Sequence, residues 1–273
     1  MNSRTLWIVG CGNMGRAMLD RWLDTGLDPA LVTVIDPALP ALRDGVRVIA
    51  KADPHSAPPA TVLLAVKPQV LGVAVQGVVP MLNATTLVVS ILAGVTLQAL
   101  RAHFTATRTI IRAMPNLPVA IGGGVVALVG AADQSETGRA VEMLMMPLGQ
   151  IEWLDDETQF DAVTALSGSG PAFVARFIAA MAAGGEALGL PADQAARMAL
   201  ATVGGTSALL AQSGEAPAAM AQRVTSRAGT TEAGLVVLDQ DQAFAGLVAA
   251  TLAAAAQRSR ELAALANPAV EAR

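Results

Sequence analysis

The chain has 273 residues, 53% of them apolar and only 15% charged, with a formal net charge of -4. That length accommodates two domains or one large one, and the mild acidity without a basic run argues against nucleic acid as a partner. A mean hydropathy of +0.50 raises the question of a membrane span. The uncharged stretch from Pro68 to Leu100 is interrupted by Pro80, Asn83 and glycines and changes period midway, so it reads as helix followed by strand, and no membrane partner is expected.

The amino terminus, "MNSRTLWIVG", runs straight into a predicted strand with no apolar signal region. Next comes "GCGNMG", Gly10 to Gly15, and a predicted helix, "MGRAMLDRWLDTG", ended by Gly26. "LVTVIDP" is a second strand and "TVLLAVKP" a later one, followed by the helical "QVLGVAVQGVVPML". "TLVVSILAG", "RTIIRAMPN" and "GGVVALVG" continue the series. Strands alternating with helices predict an α/β Rossmann domain with a mostly parallel, doubly wound sheet. After "IEWLDDE" the pattern changes: "PAFVARFIAAMAAGGEAL", "PADQAARMALATVGGTSALLAQ" and "QAFAGLVAATLAAAAQRSRELAAL" are helical, with Pro at starts and Gly at breaks. The boundary is a composition shift, giving residues 1–156 as the α/β domain and 157–273 as an all-α domain. Gly184 and Gly185 lie inside a helical pattern, where close helix crossing would compensate their low propensity.

The glycine motif sits between a buried strand and a helix, as a dinucleotide fingerprint requires. Gly10 would make the tight turn, Gly12 let a pyrophosphate approach, and Gly15 allow close helix–strand packing, with Asn13 and Met14 on the same loop. Asp36 ends the second strand, where a carboxylate accepts hydrogen bonds from adenosine ribose hydroxyls; its alternative reading is a turn residue before Pro37. Loops at the carboxyl ends of such strands bind ligands, so Ala65, Val66, Lys67 and Pro68, then Ala93, then Met114 and Asn116, are expected to line the cofactor. Lys67 would either face a phosphate or ribose or stand in solvent. "SGSGPAF", Ser167 to Phe173, reads as a helix–helix turn or as a backbone N–H cluster facing a ligand.

"VTSRAGTTEAG", Val224 to Gly234, places hydroxyls and glycines inside the helical half. One reading is a loop in which Thr230 or Thr231 caps the helix that follows. The other is an anion nest around Gly229 that holds a substrate carboxylate.

Taken together and in order, "IVGCGNMG", "LLAVKPQ", "IIRAMPNLP", "ALSGSGPAFV", "VTSRAGTTEAGL" and "RSRELA" resemble the motifs of pyrroline-5-carboxylate reductases across almost the whole chain. The resemblance implies reduction of 1-pyrroline-5-carboxylate to proline with NADPH or NADH. It implies a Rossmann domain and a helical domain that dimerises through interleaved helices, with the site at the dimer interface and further assembly to a decamer in some members. It assigns the substrate carboxylate to Ser226 and to backbone N–H groups near Gly229 and Thr230. It assigns the ring nitrogen to Thr231, as the catalytic hydroxyl, and places the Val224 backbone at the pocket wall. Where the family loop carries Pro and Gly, this chain has Arg227 and Ala228, and Ala accepts a positive φ less readily than Gly.

The side-chain inventory agrees with an imine substrate. The chain has no Tyr, its lysines are Lys51 and Lys67, its histidines His55 and His103, and its single cysteine Cys11. One cysteine makes no internal disulfide, which fits a cytoplasmic protein, and no Cys/His cluster is present to bind zinc or another metal. From Asp156 onward there is no Lys, His, Cys or Tyr. A carbonyl reductase needs such an acid to protonate a developing alkoxide, which counts against the β-hydroxyacid dehydrogenases and their lysine. An imine nitrogen can already carry its proton when hydride arrives, so a positioned hydroxyl suffices. The remaining alternatives are a related reductase of another cyclic imine and a non-catalytic dinucleotide-binding protein.

Overall fold

A computed structural model describes residues 5–130 and 136–266; the first four residues of the amino-terminal run lie outside them. The chain divides into two compact units, one running to Ser169 and resuming at Ala255, the other Gly170–Ala254.

The first unit is built on an eight-stranded sheet. Its strands are β1 (Leu6–Val9), β2 (Val32–Ile35), β3 (Arg47–Ile49), β4 (Thr61–Leu64), β5 (Leu87–Ser90), β6 (Thr109–Pro115), β7 (Gly124–Gly130) and β8 (Gly149–Trp153), in the order β3-β2-β1-β4-β5-β6-β7-β8. Every pairing is parallel except β6 with β7. Only Asn116–Gly123 join those two strands, too short a link for the crossover a parallel pair needs. The helices of this unit are α1 (Asn13–Asp24), α2 (Leu71–Val75), α3 (Leu97–His103), α4 (Glu136–Met145) and α5 (Phe160–Val163).

Strands buried on both faces need continuous apolar runs, and successive side chains then feed opposite cores. Leu6 and Ile8 point into one core with Met18, Leu19 and Trp22 of α1. Trp7 and Val9 point into the other, with Leu71 and Val75 of α2 and Leu100 of α3. The Trp22 indole N–H, buried beneath α1, donates to the Leu144 carbonyl at 2.6 Å, which ties α1 to α4. The sheet is therefore covered by helices on both sides, as the alternating pattern predicts.

The second unit is helical: α6 (Gly170–Ala187), α7 (Ala192–Ser213), α8 (Pro217–Arg223), α9 (Thr230–Asp239) and the first half of α10 (Ala243–Ala266). Helix α6 packs on α7. Gly185 is the glycine that permits it, since a Cβ there would lie 3.3 Å from the Ala195 Cβ; Gly184 meets nothing within 4 Å. Phe177 and Phe244 meet in a tilted contact, 6.1 Å between centroids. The interior is thin, with Ala195, Ala199 and Met220 its buried apolar residues, while Val174, Leu200, Val236, Val237 and Leu247 are exposed. The stretches Glu157–Ala187 and Thr230–Leu265 are long and apolar enough to cross a membrane by length and composition. An uncovered apolar surface of this extent marks an interaction face.

Candidate functional site

The glycine loop stands at the point where strand order reverses, β1 lying between β2 and β4. Open α/β sheets bind ligands at that point, outside the carboxyl ends of the strands. Gly10 has φ +82°, and a Cβ on it would fall 2.6 Å from the Val66 side chain and 3.0 Å from the Ala65 carbonyl. Glycine alone lets the end of β1 pass that close to the end of β4. A Cβ on Gly12 would meet nothing, so this stretch of backbone is open to a ligand. Gly12 is the N-cap of α1 and makes no side-chain cap, and the first turn of α1 holds no acid. The first-turn N–H groups, from Asn13, Met14 and Gly15, therefore have no side-chain cap, and the positive end of the helix dipole lies behind them.

Asp36 is anchored at both oxygens: Oδ2 accepts from the Cys11 N–H at 2.8 Å, and Oδ1 from the Ala38 N–H at 2.9 Å. Burial pushes the Cys11 thiol up to about 11, so it stays neutral at physiological pH and places no charge against a pyrophosphate. Ala65 and Val66 are half-buried at the end of β4; Lys67 is exposed, with no side-chain partner among the described residues. Pro68 opens a single 3₁₀ turn. Ala93 is exposed beyond β5. Met114 and Asn116 are buried at the end of β6. The Asn116 amide is engaged within the protein: its Oδ1 accepts from the Val125 N–H at 2.8 Å and its Nδ2 donates to the Ser167 carbonyl at 3.0 Å. The strand registers align Val9 with both Ile35 and Leu64, and Leu64 with Ser90. The expected cofactor residues thus gather along one edge of the sheet.

Ser167 does not sit in a helix–helix turn, contrary to one expectation. Thr164–Gly168 wind as a π turn between α5 and α6, closed by Ser169 N–H donating to the Thr164 carbonyl at 2.8 Å. No sequence motif signals what fastens this region to the sheet. The Arg112 guanidinium, on β6 and 5% exposed, pairs with Glu157 and lies over the Phe160 ring at 4.2 Å. Glu157 Oε1 also accepts from the Leu97 N–H at 2.8 Å, at the start of α3. An open cavity of about 350 Å³ adjoins this cluster, lined by Thr96, Asp161, Thr164 and Ser259 among others.

In the helical unit, α8 ends at Arg223 and Val224 is exposed. Thr225 turns its hydroxyl back to the Ala221 carbonyl at 2.6 Å. The Ser226 carbonyl accepts from the Gly229 N–H at 3.0 Å, closing a tight turn. Ala228 has φ +56°, so this alanine takes the left-handed conformation that a glycine would. Its N–H donates to Glu232 Oε2 at 2.6 Å. Arg227 is exposed, without a side-chain partner among the described residues.

Helix α9 begins at Thr230 with Gly229 as its N-cap. Neither threonine caps it, which corrects that expectation: both are already helical, so their hydroxyls are released from capping. The Ser226 hydroxyl lies over the Gly229 Cα, 2.3 Å from where a Cβ would stand. Ser226 Oγ thus stands at the start of α9 beside the first-turn N–H groups of Thr230 and Thr231, in a turn that also carries the Glu232 carboxylate. Glu232 was missed, although a carboxylate three residues after an N-cap is the pattern of a capping box, in which it reaches back to an N–H before the helix.

Two family models match the chain: one described as "Pyrroline-5-carboxylate reductase dimerisation" over residues 157–262, the other as "NADP oxidoreductase coenzyme F420-dependent" over residues 5–94. The pyrroline-5-carboxylate reductase of Pseudomonas aeruginosa is 35% identical over 280 residues, covering 96% of this chain and 98% of that one. That of Synechocystis is 38% identical, covering 94% and 97%. Among solved structures, a pyrroline-5-carboxylate reductase from Coxiella burnetii aligns with TM-score 0.84 at 28% identity, covering 96% of this chain and 99% of that one. A Plasmodium falciparum pyrroline carboxylate reductase with NADP bound aligns with TM-score 0.81 at 23% identity, with the same coverage, and shows the shared fold.

Proposed function

Because the chain belongs to the pyrroline-5-carboxylate reductase family, we infer that it reduces 1-pyrroline-5-carboxylate to proline with NAD(P)H. It is an oxidoreductase acting on a C=N bond. The cofactor supplies the hydride. The glycine loop fits it: Gly12 leaves the backbone open and the first turn of α1 is uncapped. Gly10, Gly12, Asn13, Met14 and Gly15 hold the pyrophosphate and Asp36 the ribose. Ala65, Val66, Lys67, Pro68, Ala93, Met114 and Asn116 line the rest of the cofactor groove.

The observation that carries the substrate assignment is Ser226 Oγ held over Gly229, the N-cap of α9. Ser226 and the Thr230 and Thr231 N–H groups bind the carboxylate, the Val224 backbone borders the ring, and the Thr231 hydroxyl orients the ring nitrogen. Hydride adds to the imine carbon, the C=N π pair passes to nitrogen, and nitrogen keeps the proton it took from solvent. Positive charge is lost in the transition state, so the site works without Lys, His or Tyr. Positioning in a dry pocket supplies most of the rate. The left-handed Ala228 favours the same substrate as the family, because the loop keeps the turn that a glycine would make.

Reduced-nicotinamide absorbance, followed with 1-pyrroline-5-carboxylate, tests this reading. Ser226→Ala is expected to raise KM about 10-fold, the worth of one hydrogen bond to a charged group. Thr231→Ala is expected to lower kcat about 100-fold, the cost of losing the group that orients the ring nitrogen for hydride addition. Wild-type kinetics in both variants would overturn the site.

The chain forms a homodimer, and we assign its interface to the helices of residues 157–262. The dimerisation match and the exposed Val236, Val237 and Leu247 support that assignment. We also propose a cytoplasmic location. We further propose assembly of dimers to a decamer, and a functional division at residues 1–156 and 157–273. Light scattering coupled to gel filtration checks the assembly; dimers alone at all concentrations would refute the decamer.

A further inference from the structure

The geometry points to NADH rather than NADPH as the working cofactor, because Asp36 is a fixed charge at the adenosine ribose and the two arginines that flank its loop are already engaged. This inference rests on the cofactor assignment above. A carboxylate at the end of β2 tolerates a 2′-phosphate only if it can swing away or if a cation stands beside it. Here the carboxylate is pinned, and the arginines on either side of its loop are turned to other partners.

Both Asp36 oxygens are held by backbone N–H groups, from Cys11 in the glycine loop and from Ala38 in the following turn. The Asp36 backbone is held as well: its N–H donates to the Ile49 carbonyl at 2.9 Å, and its carbonyl accepts from the Leu39 N–H at 3.0 Å. Rotating the side chain would strand two donors, one of them in the loop that binds the pyrophosphate. Each carboxylate oxygen retains a lone pair, which suits the hydroxyls of an unphosphorylated ribose.

No hydroxyl or cation follows on the loop, since Pro37 to Leu42 read "PALPAL". The cations that flank it, Arg16 and Arg43, are already engaged. Arg16 pairs with Asp20 at 2.8 Å and donates to the Ala41 carbonyl at 2.8 Å. Arg43 pairs with Asp24 at 2.7 Å and reaches Asp20 at 3.8 Å. Two arginines thus face three carboxylates, Asp20, Asp24 and Asp36. A 2′-phosphate, with a charge near -2, would meet the Asp36 charge with Arg16 and Arg43 already drawn to Asp20 and Asp24.

The test compares the two cofactors on the full-length protein. Wild type is expected to favour NADH in kcat/KM by at least about 10-fold, a ratio that falls as salt screens the repulsion. Asp36→Asn keeps an acceptor for one N–H and removes the charge; it is expected to shift the ratio about 10-fold toward NADPH. Calorimetry with ADP-ribose and its 2′-phosphate reads the same preference without turnover, and on wild type alone it decides the matter if Asp36→Asn does not fold. Equal or tighter binding of the 2′-phosphate form by wild type would overturn the inference. Preferential binding of ADP-ribose with no turnover of 1-pyrroline-5-carboxylate would leave this inference standing and overturn the proposed reaction.

Discussion

Gly229→Ala is expected to give a folded protein that has lost about two orders of magnitude in kcat/KM, the cost of misplacing a binding group by about an ångström. The backbone at Gly229 has φ -88°, which alanine adopts freely, so strain is not the issue. The new methyl is: its carbon would stand 2.3 Å from Ser226 Oγ and 2.9 Å from the Ser226 carbonyl oxygen. The hydroxyl can rotate away, but that removes it from the carboxylate site, and the carbonyl contact pushes the turn outward. Alanine in place of glycine at an N-cap costs up to about 1 kcal/mol, a small loss of stability. Steady-state kinetics beside a thermal melt separates the two effects. Retention of both activity and stability would mean that Ser226 does not face the substrate.

The second large effect concerns stability. Arg112→Ala removes a guanidinium that is 5% exposed and leaves Glu157 without its cation. Breaking such a pair by deleting one partner costs about 3–5 kcal/mol. The low end applies here, because the Glu157 side chain is 28% exposed and the adjoining cavity admits water to it. Two further losses act in the same direction: the Phe160 ring loses its cation, and Glu157 loses the partner that holds it against the Leu97 N–H. A loss of about 3 kcal/mol lowers the melting temperature of a unit this size by about 6–12 °C, read at fixed protomer concentration because dimerisation adds to stability. Arg112→Lys keeps the charge but not the planar fork or the stacking, and is expected to fall between. An unchanged melt for Arg112→Ala would show that the pair does not fasten β6 to the segment beyond β8.

The strands of the central sheet were legible because burial on both faces demands unbroken apolar runs such as "LWIV" and "TVLL". The edges were not. Strand β3 is three residues long with Arg47 exposed, and β8, "GQIEW", alternates half-buried with exposed residues. At an edge only part of the strand meets the core, so the hydrophobic signal fades. The π turn was missed because its residues are ordinary helix residues; what distinguishes it is one hydrogen bond of longer span. The glycine loop and the hydroxyls of the Val224–Gly234 segment were visible as types, since each local turn needs those types. Their partners were not. The Cys11 N–H reaches Asp36 across 25 positions and Arg112 reaches Glu157 across 45, and such pairings exist only once the sheet has assembled. Even at four positions, the role of Glu232 depended on knowing that Ala228 is left-handed.

That last pairing bears on descent. An alanine held at φ +56° costs about 1 kcal/mol relative to glycine, and the hydrogen bond from its N–H to a charged carboxylate offsets a cost of that size. The two positions are therefore unequal in the order in which they can mutate. An acceptor at position 232 is harmless beside a glycine at position 228, whereas alanine at 228 without an acceptor leaves the loop unsupported. Lineages carrying alanine at 228 should thus have acquired Glu, Asp or Gln at 232 first, and the combination of Ala228 with an apolar residue at 232 should be rare among extant sequences and short-lived in reconstructed ancestors.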